Sequence, residues 1–162
     1  MERFLLTAGV IATVCVVFLL MFWGWQNAAR RAAHIAEPPE PVDAPIVAGP
    51  WHGRFLGTTY AGRWLDRIHA HTLGDRSEAE VSVTTHGINV QRVGARSFAI
   101  AQHDLLGVRA DSGIAGRAYG TAGIVVITFR LGSEQLEFGV RFPNTADQLA
   151  ALAAITPSEV SS

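Results

Sequence analysis

The chain has 162 residues, 49% of them apolar, and a formal net charge of −1, which leaves room for one ordinary domain plus extras. From Trp51 onward 10 Arg face 10 Asp plus Glu. That balance excludes the basic footprint that nucleic-acid binding requires and the polybasic cluster of a domain drawn to anionic headgroups. One cysteine, Cys15, excludes an internal disulfide.

After a short tail of residues 1–3, the stretch Phe4 to Trp25 carries no charge. As a helix it would reach about 33 Å, enough for a hydrocarbon core of roughly 30 Å. Trp23 and Trp25 stand at its distal end, where amphipathic rings favour the headgroup level, and Arg30 and Arg31 follow. The pattern predicts a transmembrane helix over residues 4–26, with the lipid bilayer as its partner. A cleaved signal peptide would have a shorter apolar core. A lipoprotein would carry its cysteine after the apolar run, whereas Cys15 lies in the middle and acts as a small apolar side chain. Two arginines beyond the helix against Arg3 before it place the C-terminal domain in the cytoplasm of a single-pass cell-membrane protein.

Residues 27–50 read as a juxtamembrane linker. Within it Glu37 to Pro50, EPPEPVDAPIVAGP, holds five of the seven prolines. Proline fixes φ and removes a donor, so an extended spacer of roughly 40 Å is expected, with the domain starting at Trp51 and ending near residue 157. Residues 158–162 are a tail.

Beyond Pro50 a two-residue period takes over. Arg54 to Tyr60 is a first strand. Ala79–Thr84 and Ile88–Gln91 form a hairpin around His86-Gly87, and Arg92–Arg96 turns the chain. Phe98, Ile100, Leu105, Leu106 and Val108 mark a long or bent strand. The glycine-rich stretch 111–123 holds a short strand near Arg117–Tyr119. Ile124 to Leu131 is a strong strand with Val125, Ile127, Phe129 and Leu131 on one face. Leu136, Phe138, Val140 and Phe142 line the partner strand, which leaves Glu137, Gly139 and Arg141 for solvent. A final helix begins at Pro143-Asn144-Thr145, capped by Thr145 with Gln148 or by Asn144, with Leu149, Leu152, Ala153 and Ile155 as its apolar stripe. About seven strands and one amphipathic helix predict a mainly β barrel or sandwich plugged by that helix.

Between the first strand and the hairpin lies Thr58 to Gly74, where Trp64, Leu65, Ile68 and Thr72 share one face of an expected short helix. The stretch GTTYAGRWLDRIHAHTLGDRS, with VTTHGINVQRVGARSFAI, GIVVITFRLG and the final helix, resembles a family of actinobacterial single-pass membrane proteins with a bacterial pleckstrin-homology-like (PH-like) domain. Members go by such descriptions as export, transporter or membrane protein. The resemblance implies an N-terminal transmembrane helix plus a PH-like seven-stranded antiparallel barrel capped by the C-terminal helix. It brings no catalytic residue, and PH-like domains bind lipids, peptides or proteins.

Arg63, Trp64, Asp66 and Arg67 are the candidate binding residues, because Arg and Trp most often carry interface energy. Their alternative is that Trp64 and Leu65 plug the barrel while the charges are solvated. His69-x-His71 could share a metal only with a third ligand such as Asp66 or Asp75, so no metal is expected. Gly113-x-x-Gly116 and Gly120-x-x-Gly123 lack the Lys and the following helix of a phosphate loop. There is no Gly-x-Ser-x-Gly, no HExxH and no soluble cysteine nucleophile, and His103-Asp104 would point to opposite faces of a strand. No cofactor, nucleic acid or small-molecule substrate is therefore expected. The reading is a non-enzymatic, membrane-tethered module that binds a protein or peptide. The alternative is an accessory subunit of an envelope transport or secretion system with the domain outside the cytoplasm.

Overall fold

The computed structural model describes residues 11–24, 34–120 and 123–155. The chain divides into two compact units, Met1–His34 and Ile35–Ser162. In the first unit residues 11–24 form a helix (α1) whose side chains are all exposed. The expected span 4–26 lies partly outside the described residues. Among those described, no helix is long and apolar enough to cross a membrane.

The second unit is built on one antiparallel sheet of eight strands. Its elements are β1 (Ile46–Tyr60), β2 (Arg63–Arg67), β3 (Ser77–Thr84), β4 (Gly87–Arg92), β5 (Phe98–Ala101), β6 (Leu105–Asp111), β7 (Gly113–Ile114), β8 (Arg117–Ala118), β9 (Ile124–Leu131), β10 (Glu134–Arg141) and a helix α2 (Thr145–Ala154). The sheet runs β5-β4-β3-β1-β10-β9-β6, with β2 on β1 and β7 paired separately with β8. Seven strands in series match the expected number, but the expected barrel is not closed. The terminal strands β5 and β6 are joined in sequence by the 3-10 turn Gln102–Asp104 without pairing. That turn splits the single bent strand expected over 98–108.

β1 organises the sheet because it serves three partners. Residues Ile46 to Phe55 pair with β3, Arg54 to Tyr60 with β10, and Thr59 and Tyr60 with β2. A bulge between Phe55 and Gly57 bends the strand. The expected start at Arg54 was eight residues late, since β1 begins at Ile46. The hairpin Ser77–Thr84 to Gly87–Arg92 and the strand Ile124–Leu131 stand as the alternation suggests.

The inward faces of β1, β3–β6, β9 and β10 form one apolar core that includes Phe55, Val81, Val90, Phe98, Ile127, Phe129 and Phe138. A second, smaller core lies on the outer face. Here the β7–β8 hairpin folds Ile114 and Ala115 over Leu56, Ile124 and Val126. Its two-residue turn, Ala115-Gly116, has positive φ at both positions (52° and 75°), the hand that suits a tight hairpin. Of the outer residues of β10 expected to face solvent, Arg141 does, but Gly139 and Glu137 are buried. A Cβ on Gly139 would sit 2.6 Å from Ile114 Cγ2, so only glycine lets the hairpin settle there. Glu137 is 3% exposed and pairs with Arg109 at 3.0 Å.

The Pro-rich segment is not a free spacer from Ile35 onward. Ile35 is 4% exposed and belongs to the main core, and Ala36 lies against Gly132 in the β9–β10 turn. Pro39 O accepts from Ala99 N on β5 (2.8 Å), and Pro45 O accepts from Thr85 N (3.2 Å). Between them, Val42 N donates to Asn89 Oδ1 and Val42 O accepts from Asn89 Nδ2, at 3.2 and 2.8 Å. Prolines rule out a continuous ladder here, so isolated bonds hold an extended strap instead. The domain starts at Ile35, not at the expected Trp51, which falls inside β1.

α2 is capped by Asn144, whose Oδ1 accepts from Asp147 N at 2.7 Å. The helix packs on β1, β6 and β9 with part of the expected stripe: Ile155 and Leu152 face the core, Leu149 and Ala153 do not, and Ala151 takes their place. Ala151 and Ile155 are buried and Leu152 is partly so, whereas Leu149 is 61% exposed. Ile155→Ala should therefore cost about 2–5 kcal/mol in urea unfolding, and Leu149→Ala less than about 0.5 kcal/mol. Equal losses would place the wrong face against the sheet.

Candidate functional site

The segment expected as a short helix is the strand β2, returned against β1 through Ala61-Gly62. Gly62 has φ +74°, which a tight reversal needs. Periodicity misled here because Trp64, Leu65 and Ile68 fit a helical face, yet only Ile68 enters the core. Trp64 is 47% exposed and Leu65 66% exposed, so neither plugs the barrel.

The four candidate residues divide into two kinds. Arg63 pairs with Asp66 at the surface, and its guanidinium lies 5.3 Å from the Tyr60 ring centroid. Trp64 and this ion pair make an exposed patch, while Leu65, the next residue of the strand, is also exposed but on the opposite face. Arg67 is part of the scaffold. It donates to Gly74 O and Ala115 O, both at 3.2 Å, and so ties the loop after β2 to the β7–β8 hairpin. Desolvation, and after it the nearby Arg76, lowers its pKa. The hairpin also holds β2 directly, through Gly116 N to Trp64 O at 3.1 Å.

The loop after β2 is tightly built. Its 3-10 turn Ala70–Thr72 has left-handed φ at His71 (52°) and Thr72 (59°), an arrangement that non-glycine residues hold only when neighbours enforce it. Leu73 anchors the turn in the core. Arg92 reaches it from β4, donating to Thr72 O (3.0 Å), Asp75 O (2.6 Å), Arg96 O (3.3 Å) and Ser77 Oγ (3.0 Å). Its other side covers the Phe55 ring at 4.0 Å. Arg96 N donates to Thr72 Oγ1, and the Arg96 side chain pairs with Glu37 and Glu40 of the strap. His71 Nε2 meets Ile35 O at 3.1 Å. Among the described residues no group of His, Cys, Asp or Glu is placed to hold a metal ion, and His71 is engaged by the strap backbone.

Arg63, Arg67, Arg92 and Arg96 thus each have partners and do not pool into an open basic site. Sequence reasoning missed Arg92 because Arg92–Arg96 reads as a turn. The signal was the register: Ile88, Val90 and Arg92 alternate on the inward side of β4. Burial lowers the Arg92 pKa to about 10, opposed by Asp75. With the folded value below the unfolded one, the charged group costs stability at every pH below about 10, and the cost falls as pH rises from there towards the unfolded value. Its planar fork of hydrogen bonds offsets that cost. Arg92→Lys keeps the charge but loses the fork, and should lower unfolding stability by about 1.5–3 kcal/mol. Arg63→Ala, at an exposed ion pair, should change it by less than about 1 kcal/mol. Chemical denaturation of the full chain in detergent measures both, and a neutral Arg92→Lys would show that the fork contributes nothing.

Residues 32–156 match the family model described as bacterial PH domain-like. No curated protein and no solved structure matches the chain. The matched range covers the strap, the open curled sheet and the capping helix, and most of the chain. This chain belongs to the bacterial PH domain-like family.

Proposed function

We propose that the chain is a non-enzymatic, membrane-tethered interaction module that binds a protein or peptide partner through the exposed patch on β2. The observation that carries this reading is Trp64. Of the two tryptophans in the Ile35–Ser162 unit, Trp51 is buried in the core, while Trp64 stands half exposed on β2. The strand that presents it is held rigidly by β1, the β7–β8 hairpin and Arg67. A rigid aromatic anchor loses little entropy on binding, and its ring gives apolar area to a partner's pocket. The Arg63–Asp66 pair beside it is neutral overall, which fits a protein surface better than an anionic lipid sheet.

Tethering rests on the first unit. Residues 4–25 carry no charge, and residues 11–24 are helical with large apolar side chains such as Phe18, Leu19, Phe22 and Trp23 facing outward. Such a surface is costly in water and stable in lipid. The basic-residue balance puts the domain on the cytoplasmic side.

Two experiments test this. Trp64→Ala with Leu65→Ala should leave thermal unfolding within a few degrees of the unaltered chain and remove the proteins that co-purify with it from membranes. An unchanged set of co-purified proteins would sink the patch as a binding surface. For the tether, a cysteine at Ser161 in a chain lacking Cys15 should resist an impermeant thiol reagent in intact cells and react after lysis. Labelling in intact cells would put the domain outside the cytoplasm. Recovery of the chain in the soluble fraction would remove the anchor altogether.

A further inference from the structure

The strap and the face beneath it share no residue with β2. On the outer side of the sheet Ser82, Asn89 and Ala99 lie in one cross-strand row and all are buried, although two are polar and none is large. The chain's own segment 35–45 lies over Asn89 and Ala99. That segment makes no strand of its own, and most of its residues remain exposed, with Ile35 and Pro38 buried. Each grip on it reads either backbone or charge. Asn89 uses both ends of its amide on the N–H and C=O of one residue, Val42. Ala99, on the outer edge of β5, donates its N–H to Pro39 O, and Arg96 takes the carboxylates of Glu37 and Glu40.

Such a site is chemically a peptide groove. An edge-strand N–H and a bidentate side-chain amide hold an extended backbone whatever its side chains. Arg96 then selects acidic residues, and the position of Ile35 selects one aliphatic residue two places before the first of them. Proline suits the occupant, because an extended chain with few donors loses little freedom on docking. The segment docked in this way begins immediately after the first unit, so its release would both uncover the groove and lengthen the link to that unit.

We propose that this groove binds an extended, acidic, proline-containing segment of another protein, and that residues 35–45 are a built-in competitor for it. The competitor is covalently attached, so its effective concentration is high and the groove is closed to a weak ligand until the strap is displaced. The proposal goes beyond the β2 reading and uses none of its residues.

The test uses the full chain in detergent and a fluorescent synthetic peptide with the sequence of residues 34–46. Ile35→Ala with Glu37→Ala weakens the strap, and peptide affinity by anisotropy should rise at least tenfold over the unaltered chain. Adding Asn89→Ala should remove that gain. Should that variant fail to fold, Arg96→Glu in the weakened background replaces it. It should bind a peptide with Lys at both Glu positions at least tenfold tighter than the native peptide. Trp64→Ala should not alter peptide binding, which separates this site from the patch on β2. Equal affinity for the unaltered and weakened chains overturns the proposal, as does tight binding that survives Asn89→Ala. A weakened chain that dimerises and excludes the peptide would make a second copy the occupant, and would overturn it too.

Discussion

Phe98 on the edge strand β5 stacks on Phe129 of β9, their ring centroids 6.3 Å apart, and meets Phe55 and Phe138 edge-on at 6.0 and 5.6 Å. These four rings hold the curl of a sheet whose terminal strands exchange no ladder bonds. A closed barrel removes its edges by hydrogen bonding; here apolar burial across the interior takes that part. Phe55 also faces Arg92, so the same cluster supports the buried guanidinium that organises the loop after β2. Two consecutive left-handed residues in that loop persist because Arg92, Arg96 and Leu73 together leave them no relaxed alternative.

An open sheet leaves edges, and the fold manages them locally. On β5 the Ala99 N–H goes to the strap. On β2 the Trp64 carbonyl goes to the β7–β8 hairpin. Backbone groups left without partners would invite pairing with other chains, so each small cover limits aggregation. The covers differ in kind. The β7–β8 hairpin is locked by its own core over Gly139, whereas the strap is held by scattered bonds around two buried side chains. That difference is the ground for the proposal that the strap, and not the hairpin, is the cover that can be displaced.

The strands were legible wherever one face is apolar and the other polar. Ser77–Thr84, Gly87–Arg92 and Ile124–Leu131 follow the period of two, and a helix after Pro143 follows from its cap and composition. What misled was burial on both faces. Gly139 looks like a solvent residue until the β7–β8 hairpin folds over it, and Glu137 until Arg109 of β6 pairs with it. The same holds for the final helix. Its apolar residues are too evenly spread for the sequence to show which face meets the sheet, and the choice fell to Ala151 and Ile155 rather than Leu149.

The sequence by itself determined the class of the domain, the order of most strands, the charge balance that argues against nucleic acid, and an uncharged N-terminal stretch long enough to span a bilayer. Those properties depend on local composition and periodicity. Only the tertiary structure decided that Trp64 stands exposed, that Arg92 is a buried anchor, and that a proline-rich stretch lies on the domain as a strap. Each of these depends on contacts between residues far apart in the chain: Arg92 with Thr72, Asn89 with Val42, Ala99 with Pro39. Proline told that the segment would be extended, because its ring constrains φ; where an extended segment lies is set by the partners that receive it.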